Sequence, residues 1–111
     1  MSIKIYKLTL NFPVEEKYSL TDQIRRASRS VGANIAEAWP KRMYPKSFVA
    51  KLVDSQAESA EVNHWLDLSL EHSYINKEQY SELVALNIEI QKMLDSMIRK
   101  PEKFTRKRNN K

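Results

Sequence analysis

The chain has 111 residues, 30% of them charged, and a net charge of +5 at pH 7. This length gives room for one domain, and the lack of cysteine excludes disulfides and thiolate metal sites. Glycine occurs once and proline four times, which is too few turn residues for sheet-rich folds and favours long helices.

The start of the chain predicts a short element followed by a loop. The apolar residues between positions 3 and 10 are compatible with either a strand or a short helix, and Pro13 lies in the loop that follows. The start lacks the apolar stretch and cleavage site of a signal peptide. No apolar run approaches the roughly 20 residues that span a bilayer. We therefore expect a cytoplasmic protein without membrane contact.

Three amphipathic helices follow, each predicted from apolar residues that recur every three or four positions. They span about 20–38, 46–73 and 77–99. Ser19 is the predicted N-cap of the first of them, Pro40 closes it, and Asn76 with Gln79 has the capping-box pattern. The expected fold is all-α: an up-down antiparallel four-helix bundle with a short first helix, over residues 1–98.

Residues 99–111 form a basic tail. They contain seven Lys/Arg and one Asp/Glu, and Phe104 is their only large apolar residue. Such a segment cannot bury enough apolar surface to fold, so we expect it to be disordered. The bundle is itself divided by charge, because residues 1–51 hold ten Lys/Arg and four Asp/Glu, whereas residues 52–98 hold two and nine.

The last two helices have wider apolar faces than a monomeric bundle requires. A helix in such a bundle needs one apolar stripe, so the excess predicts self-association. The alternative is that the short first segment covers the excess. The candidate interface residues are Trp65, Leu86, Ile90, Met93 and Met97.

Helix two and the segment after it carry a basic surface. Cationic side chains bind phosphate by releasing counterions, with little reading of base sequence. The alternative is local ion pairing, either between Asp22 and Arg26 one turn apart or with the acidic helix three. The candidate phosphate contacts are Arg25, Arg26, Arg29, Lys41, Arg42 and Lys46, with Arg106, Lys107 and Arg108 in the tail.

Two polar residues are predicted to be buried in helix two. Asn34 falls on its apolar seam, and Glu37 follows one turn later. A buried asparagine must be hydrogen-bonded, and a lone one can fix the register of packed helices. The alternative is that both line a polar cavity between associated subunits.

No pattern in the sequence points to catalysis. Glu61 and His64 form one E-x-x-H motif, but a di-iron carboxylate bundle needs two copies and two further glutamates. Glycine loops that cradle phosphate and nucleophile elbows are absent from the sequence. We expect no enzyme, no cofactor, no metal site and no small-molecule substrate.

The stretch LTDQIRRASRSVGANIAE at 20–37 closely resembles a signature of the bacterial four helix bundle protein family. That family includes proteins encoded within intervening sequences of 23S rRNA genes. Four other stretches are also similar to it: Tyr6-Lys7-Leu8, Phe12-Pro13, Lys46-Ser47-Phe48 and Trp65-Leu66-Asp67.

The resemblance implies an up-down four-helix bundle that assembles into a homopentamer. The family is similar to the accessory proteins of diversity-generating retroelements, which form such rings and bind nucleic acid. It therefore implies a non-catalytic oligomer associated with RNA or DNA. The alternative function is a protein-interaction scaffold that does not bind nucleic acid. Because the family's first helix is longer, the resemblance also implies that this chain is truncated or that the ring covers the gap.

Overall fold

The computed structural model describes residues 1–104, and these fold into four α-helices without any strand. The helices are α1 (Ser2–Thr9), α2 (Leu20–Ala38), α3 (Pro45–Glu71) and α4 (Lys77–Arg99). Short 3-10 turns lie at Val14–Glu16, Trp39–Lys41 and Pro101–Lys103. The predicted all-α four-helix architecture is confirmed. The first segment, which the sequence left open between strand and helix, is helical.

The turn between α3 and α4 explains why α3 ends before the predicted residue 73. The Ser73 N–H donates to the Leu70 carbonyl and the Tyr74 N–H to the Ser69 carbonyl, both at 2.9 Å. These two bonds form a Schellman motif, which terminates a helix with a left-handed residue. Ser73 takes that conformation with φ of 61°, where glycine is the usual residue.

The two predicted N-caps have different outcomes. The Asn76 side chain accepts from the Gln79 N–H at 2.8 Å, and the Gln79 side chain accepts from the Asn76 N–H at 2.9 Å. That capping box is confirmed. Ser19 does occupy the predicted N-cap position of α2, but its side chain makes no capping bond, because its hydroxyl donates to the Glu16 carboxylate at 2.6 Å. Glu16 then accepts the Leu20 N–H at 3.3 Å, so Glu16 supplies the acceptor that Ser19 was expected to provide.

The helices enclose two apolar clusters at opposite ends of the bundle. α3 packs against both α2 and α4, while α1 packs on the first half of α2. The first cluster lies under α1 and includes Ile5, Ile24, Val31, Leu66 and Leu83. The second cluster consists of Ala38, Phe48, Leu52, Leu94 and Met97, from α2, α3 and α4. α1 therefore completes four-helix packing only at the first end.

A polar contact lies in the core between α3 and α4. Asn87 is 0% exposed, and its carboxamide oxygen accepts from the Ser59 hydroxyl at 2.7 Å. The Asn87 amide donates to the Ser59 carbonyl and to the Asn63 side chain, both at 2.9 Å. These bonds satisfy a carboxamide that would otherwise be costly to bury.

The buried polar residues predicted on α2 are wrong. Asn34 is only half-buried, and its amide donates to the Ser30 carbonyl of its own helix at 2.9 Å. Glu37 is exposed and pairs with Lys51 at 2.8 Å. The buried face of α2 is narrower than its apolar periodicity predicted, because α1 and α3 cover only part of the helix and the rest is exposed to solvent.

The C-terminal boundary also differs from the expectation. α4 ends at Arg99, and residues 101–104 form an ordered turn whose Phe104 packs against the second cluster. The expected disorder therefore does not apply to residues 99–104, and the rest of the tail lies outside the described residues. No helix within residues 1–104 is long and apolar enough to cross a membrane.

Candidate nucleic-acid interface

The most organised part of the basic surface lies where α1 crosses α2. The Arg25 guanidinium lies 4.5 Å from the centroid of the Tyr6 ring, and its Nε donates to the Thr9 hydroxyl at 2.8 Å. Arg29, one turn along α2, lies 5.9 Å from the same ring. Both arginines thus lie against the ring of Tyr6 through cation–π attraction, and Arg25 is held in addition by its hydrogen bond to Thr9.

Thr9 supports this arrangement from within the fold. It is 2% exposed, and its hydroxyl donates to the Ile5 carbonyl at 2.8 Å. This bond fixes the orientation of the hydroxyl, so its oxygen is held in position to accept the hydrogen bond from Arg25. The side chain of Arg25 loses less conformational freedom when it binds a ligand, because α1 already restrains it.

The neighbouring Arg26 is in a different electrostatic state. Its Nε lies 3.1 Å from the Asp22 carboxylate, the i,i+4 pair that the sequence suggested. Among residues 1–104, Arg25 and Arg29 have no carboxylate within 4.0 Å. The acidic helix α3 does not neutralise them in the same subunit, so their charge is available to an external anion.

A second basic group lies at the far end of α2. The Arg42 guanidinium lies 4.0 Å from the centroid of the Trp39 ring, and its Nε donates to the Trp39 carbonyl at 2.8 Å. Lys41 and Lys46 are exposed nearby in sequence, and neither has a carboxylate within 4.0 Å in the described part of the chain. The six predicted cations of the folded part therefore form two groups, one near each end of α2.

The tail candidates Arg106, Lys107 and Arg108 lie outside the described residues. They remain predictions. The described part of the tail places Phe104 at the end of the bundle that also carries the connection between α2 and α3.

The acidic face of α3 is a separate region of the surface. Burial raises the pKa of Glu58, and the nearby Glu61 and Asp54 raise it further. Lys51, near the start of α3, lies 4.0 Å from Asp54 on this face and 2.8 Å from Glu37 on α2. The Glu61 and His64 side chains are exposed, and no group of three His, Cys, Asp or Glu within residues 1–104 could hold a metal ion.

The predicted oligomer-interface residues do not all reach the surface. Met97 is 4% exposed and belongs to the second cluster, so its assignment to an interface is wrong. Leu86, Ile90 and Trp65 are half-buried against their own core, which partly accounts for the width of the apolar faces. Met93 is 48% exposed and remains available to a neighbouring subunit.

Sequence reasoning missed the aromatic partners of the arginines. Tyr6 and Thr9 are separated from Arg25 by a loop, and nothing in the linear pattern of α1 indicated contact with it. Trp39 and Arg42 are three residues apart, so the helical spacing was a signal that could have identified this pair.

Comparisons with known proteins agree with this architecture. The family model described as 23S rRNA-intervening sequence protein matches residues 1–96. A crystal structure from Bacteroides thetaiotaomicron, described as a protein with unknown function from the S23 ribosomal protein family, is similar with a TM-score of 0.76. Its sequence is 33% identical, and the match covers 87% of each chain. No curated protein matches the chain.

Proposed function

We propose that this chain, which belongs to the 23S rRNA-intervening sequence protein family, is a non-catalytic, homo-oligomeric bundle that associates with RNA or DNA. The observation that carries the proposal is the pair Arg25 and Arg29, oriented over Tyr6 without a carboxylate partner among residues 1–104. These two arginines are restrained but not neutralised, which favours a polyanionic ligand. The release of counterions from such a ligand would provide the binding affinity.

Self-association would strengthen this binding. Val53 on α3 is 45% exposed, and Ile88 and Met93 on α4 are 41% and 48% exposed. Apolar side chains left in solvent provide area that a second copy can bury. The family resemblance favours five subunits, and each basic group would then recur around the ring and bind with avidity.

The test is binding to a fluorescent single-stranded RNA, measured by anisotropy at about 50 and 200 mM salt. With five phosphate contacts per subunit, affinity should fall roughly 100-fold over this range, from a slope of about −0.7 per contact. The variant Arg25→Gln/Arg29→Gln should lower the slope by about 1.4.

The matched control is Arg26→Gln, which removes a charge that Asp22 already pairs. It should change the slope less than either single variant at Arg25 or Arg29. Absence of any binding at low salt, to RNA or to DNA, would contradict the proposal. That result, together with capture of a specific protein by the exposed apolar residues of α3 and α4, would favour the alternative function as an interaction scaffold.

A further inference from the structure

Two exposed aromatic rings, each stacked with arginine, mark the two basic groups. Tyr6 is 41% exposed with Arg25 and Arg29 beside it, and Trp39 is 45% exposed with Arg42 at 4.0 Å. Aromatic rings and guanidinium planes are both surfaces on which nucleobases stack. Attraction of phosphate needs neither an aromatic ring nor a guanidinium plane, because exposed lysines are sufficient for it.

Arg25 and Trp39 occupy backbone positions on the same side of the α2 axis, because Trp39 directly follows α2 and keeps helical dihedral angles (φ −55°, ψ −48°). Arg25 and Trp39 are 14 positions apart, which is close to four helical turns and about 21 Å along the axis. Gly32 and Ala36 lie between them and are exposed, and a Cβ on Gly32 would meet nothing within 4 Å. Positions 32 and 36, between the two groups, therefore carry only small residues that leave room for a strand.

We infer that this side of α2 binds unpaired nucleotides, with one base stacked on Trp39 and another on the arginine that covers Tyr6. This inference rests on the proposed function and specifies the class of nucleic acid that is bound, namely single strands. In a duplex the bases are already stacked and their faces are inaccessible, so rings would add nothing to its binding. In a single strand every base offers a face, and stacking is tolerant of sequence.

The spacing sets the length of the strand. At about 3.4 Å per stacked nucleotide, 21 Å corresponds to roughly six nucleotides. A shorter strand can engage only one of the two groups. A strand of twelve uridines should therefore bind much more tightly than a trinucleotide, because the second contact becomes intramolecular.

Tryptophan fluorescence provides a direct measurement. The chain contains two tryptophans, and Trp65→Phe leaves Trp39 as the only tryptophan whose emission is recorded. Trp65 has a buried Nε1 without a hydrogen-bond partner among the described residues, so this substitution removes no such bond. Titration of Trp65→Phe with twelve uridines should quench Trp39 emission in parallel with binding measured by anisotropy. A 12-base-pair RNA duplex should bind through its phosphates without that quenching.

A second variant separates stacking from charge. Trp39→Leu should weaken binding of the twelve-uridine strand roughly 5- to 150-fold and leave duplex binding unchanged, whereas Trp39→Phe should retain most of the affinity. Circular dichroism of each variant checks that the helices are intact. If Trp39→Leu fails to fold, the quenching experiment on Trp65→Phe still decides the inference.

The outcomes distinguish this inference from the proposed function. Salt-dependent binding of the single strand without quenching of Trp39, or equal affinity for duplex and single strand, would overturn the inference and leave the proposed function intact. Absence of binding to either nucleic acid would overturn both.

Discussion

Asn87→Ala is the most informative single substitution for the fold. Asn87 is 0% exposed and makes three hydrogen bonds to α3. Truncation leaves the Ser59 hydroxyl buried without its acceptor, which costs about 1–3 kcal/mol. The cavity left by the carboxamide adds about 1 kcal/mol. The expected loss is about 2–4 kcal/mol, a fall in Tm of roughly 8–25 °C for a domain of this size.

The measurement is urea unfolding followed by circular dichroism, at one fixed protein concentration because self-association would shift the transition. The matched control is Asn34→Ala. Asn34 is half-buried and bonds only within α2, and alanine is the better helix former, so stability should change by less than about 0.5 kcal/mol.

A double-mutant cycle identifies the cause of the loss. Ser59→Ala removes the donor that Asn87→Ala would leave unpaired, so the double variant should be more stable than the sum of the single losses predicts, by about 1–2 kcal/mol. Additive losses, or a cost for Asn87→Ala no larger than for Asn34→Ala, would refute the argument that this hydrogen bond is buried and coupled.

Two further predictions concern the end of the bundle where the α1–α2 connection meets the α3–α4 turn, through the Tyr74–Glu16 hydrogen bond. Hydrogen bonds from Ser19, Tyr74 and the Leu20 N–H lower the pKa of Glu16. A carboxyl whose pKa is lower in the folded state stabilises the protein above its unfolded pKa, and this stabilisation is lost as pH falls through the folded pKa. The Tm difference between wild type and Glu16→Gln should therefore shrink from pH 7 to about pH 3. A Tm difference that stays constant with pH would contradict this prediction. Ser73→Gly should raise the free energy of unfolding by up to about 1 kcal/mol, because glycine adopts the left-handed conformation without penalty. A lower stability of this variant in urea unfolding would refute the claim that Ser73 is strained.

The sequence by itself determined the three long helices, α2 to α4, with ends within about two residues of those in the structure. Apolar spacing, one glycine and the positions of Pro40 and Asn76 are local signals, because the hydrogen bonds that form a helix link residues four apart. The same locality explains why the Arg26–Asp22 pair could be predicted. The family resemblance followed from one continuous stretch at 20–37 for the same reason.

Tertiary structure alone decided which side chains are buried and which cations are oriented. Asn34 and Asn87 are indistinguishable by type, and only the approach of Ser59 on another helix makes Asn87 the buried one. Tyr6 meets Arg25 because α1 folds back over α2. Such contacts depend on which helix faces are covered, a property of the packed bundle that no single helix contains.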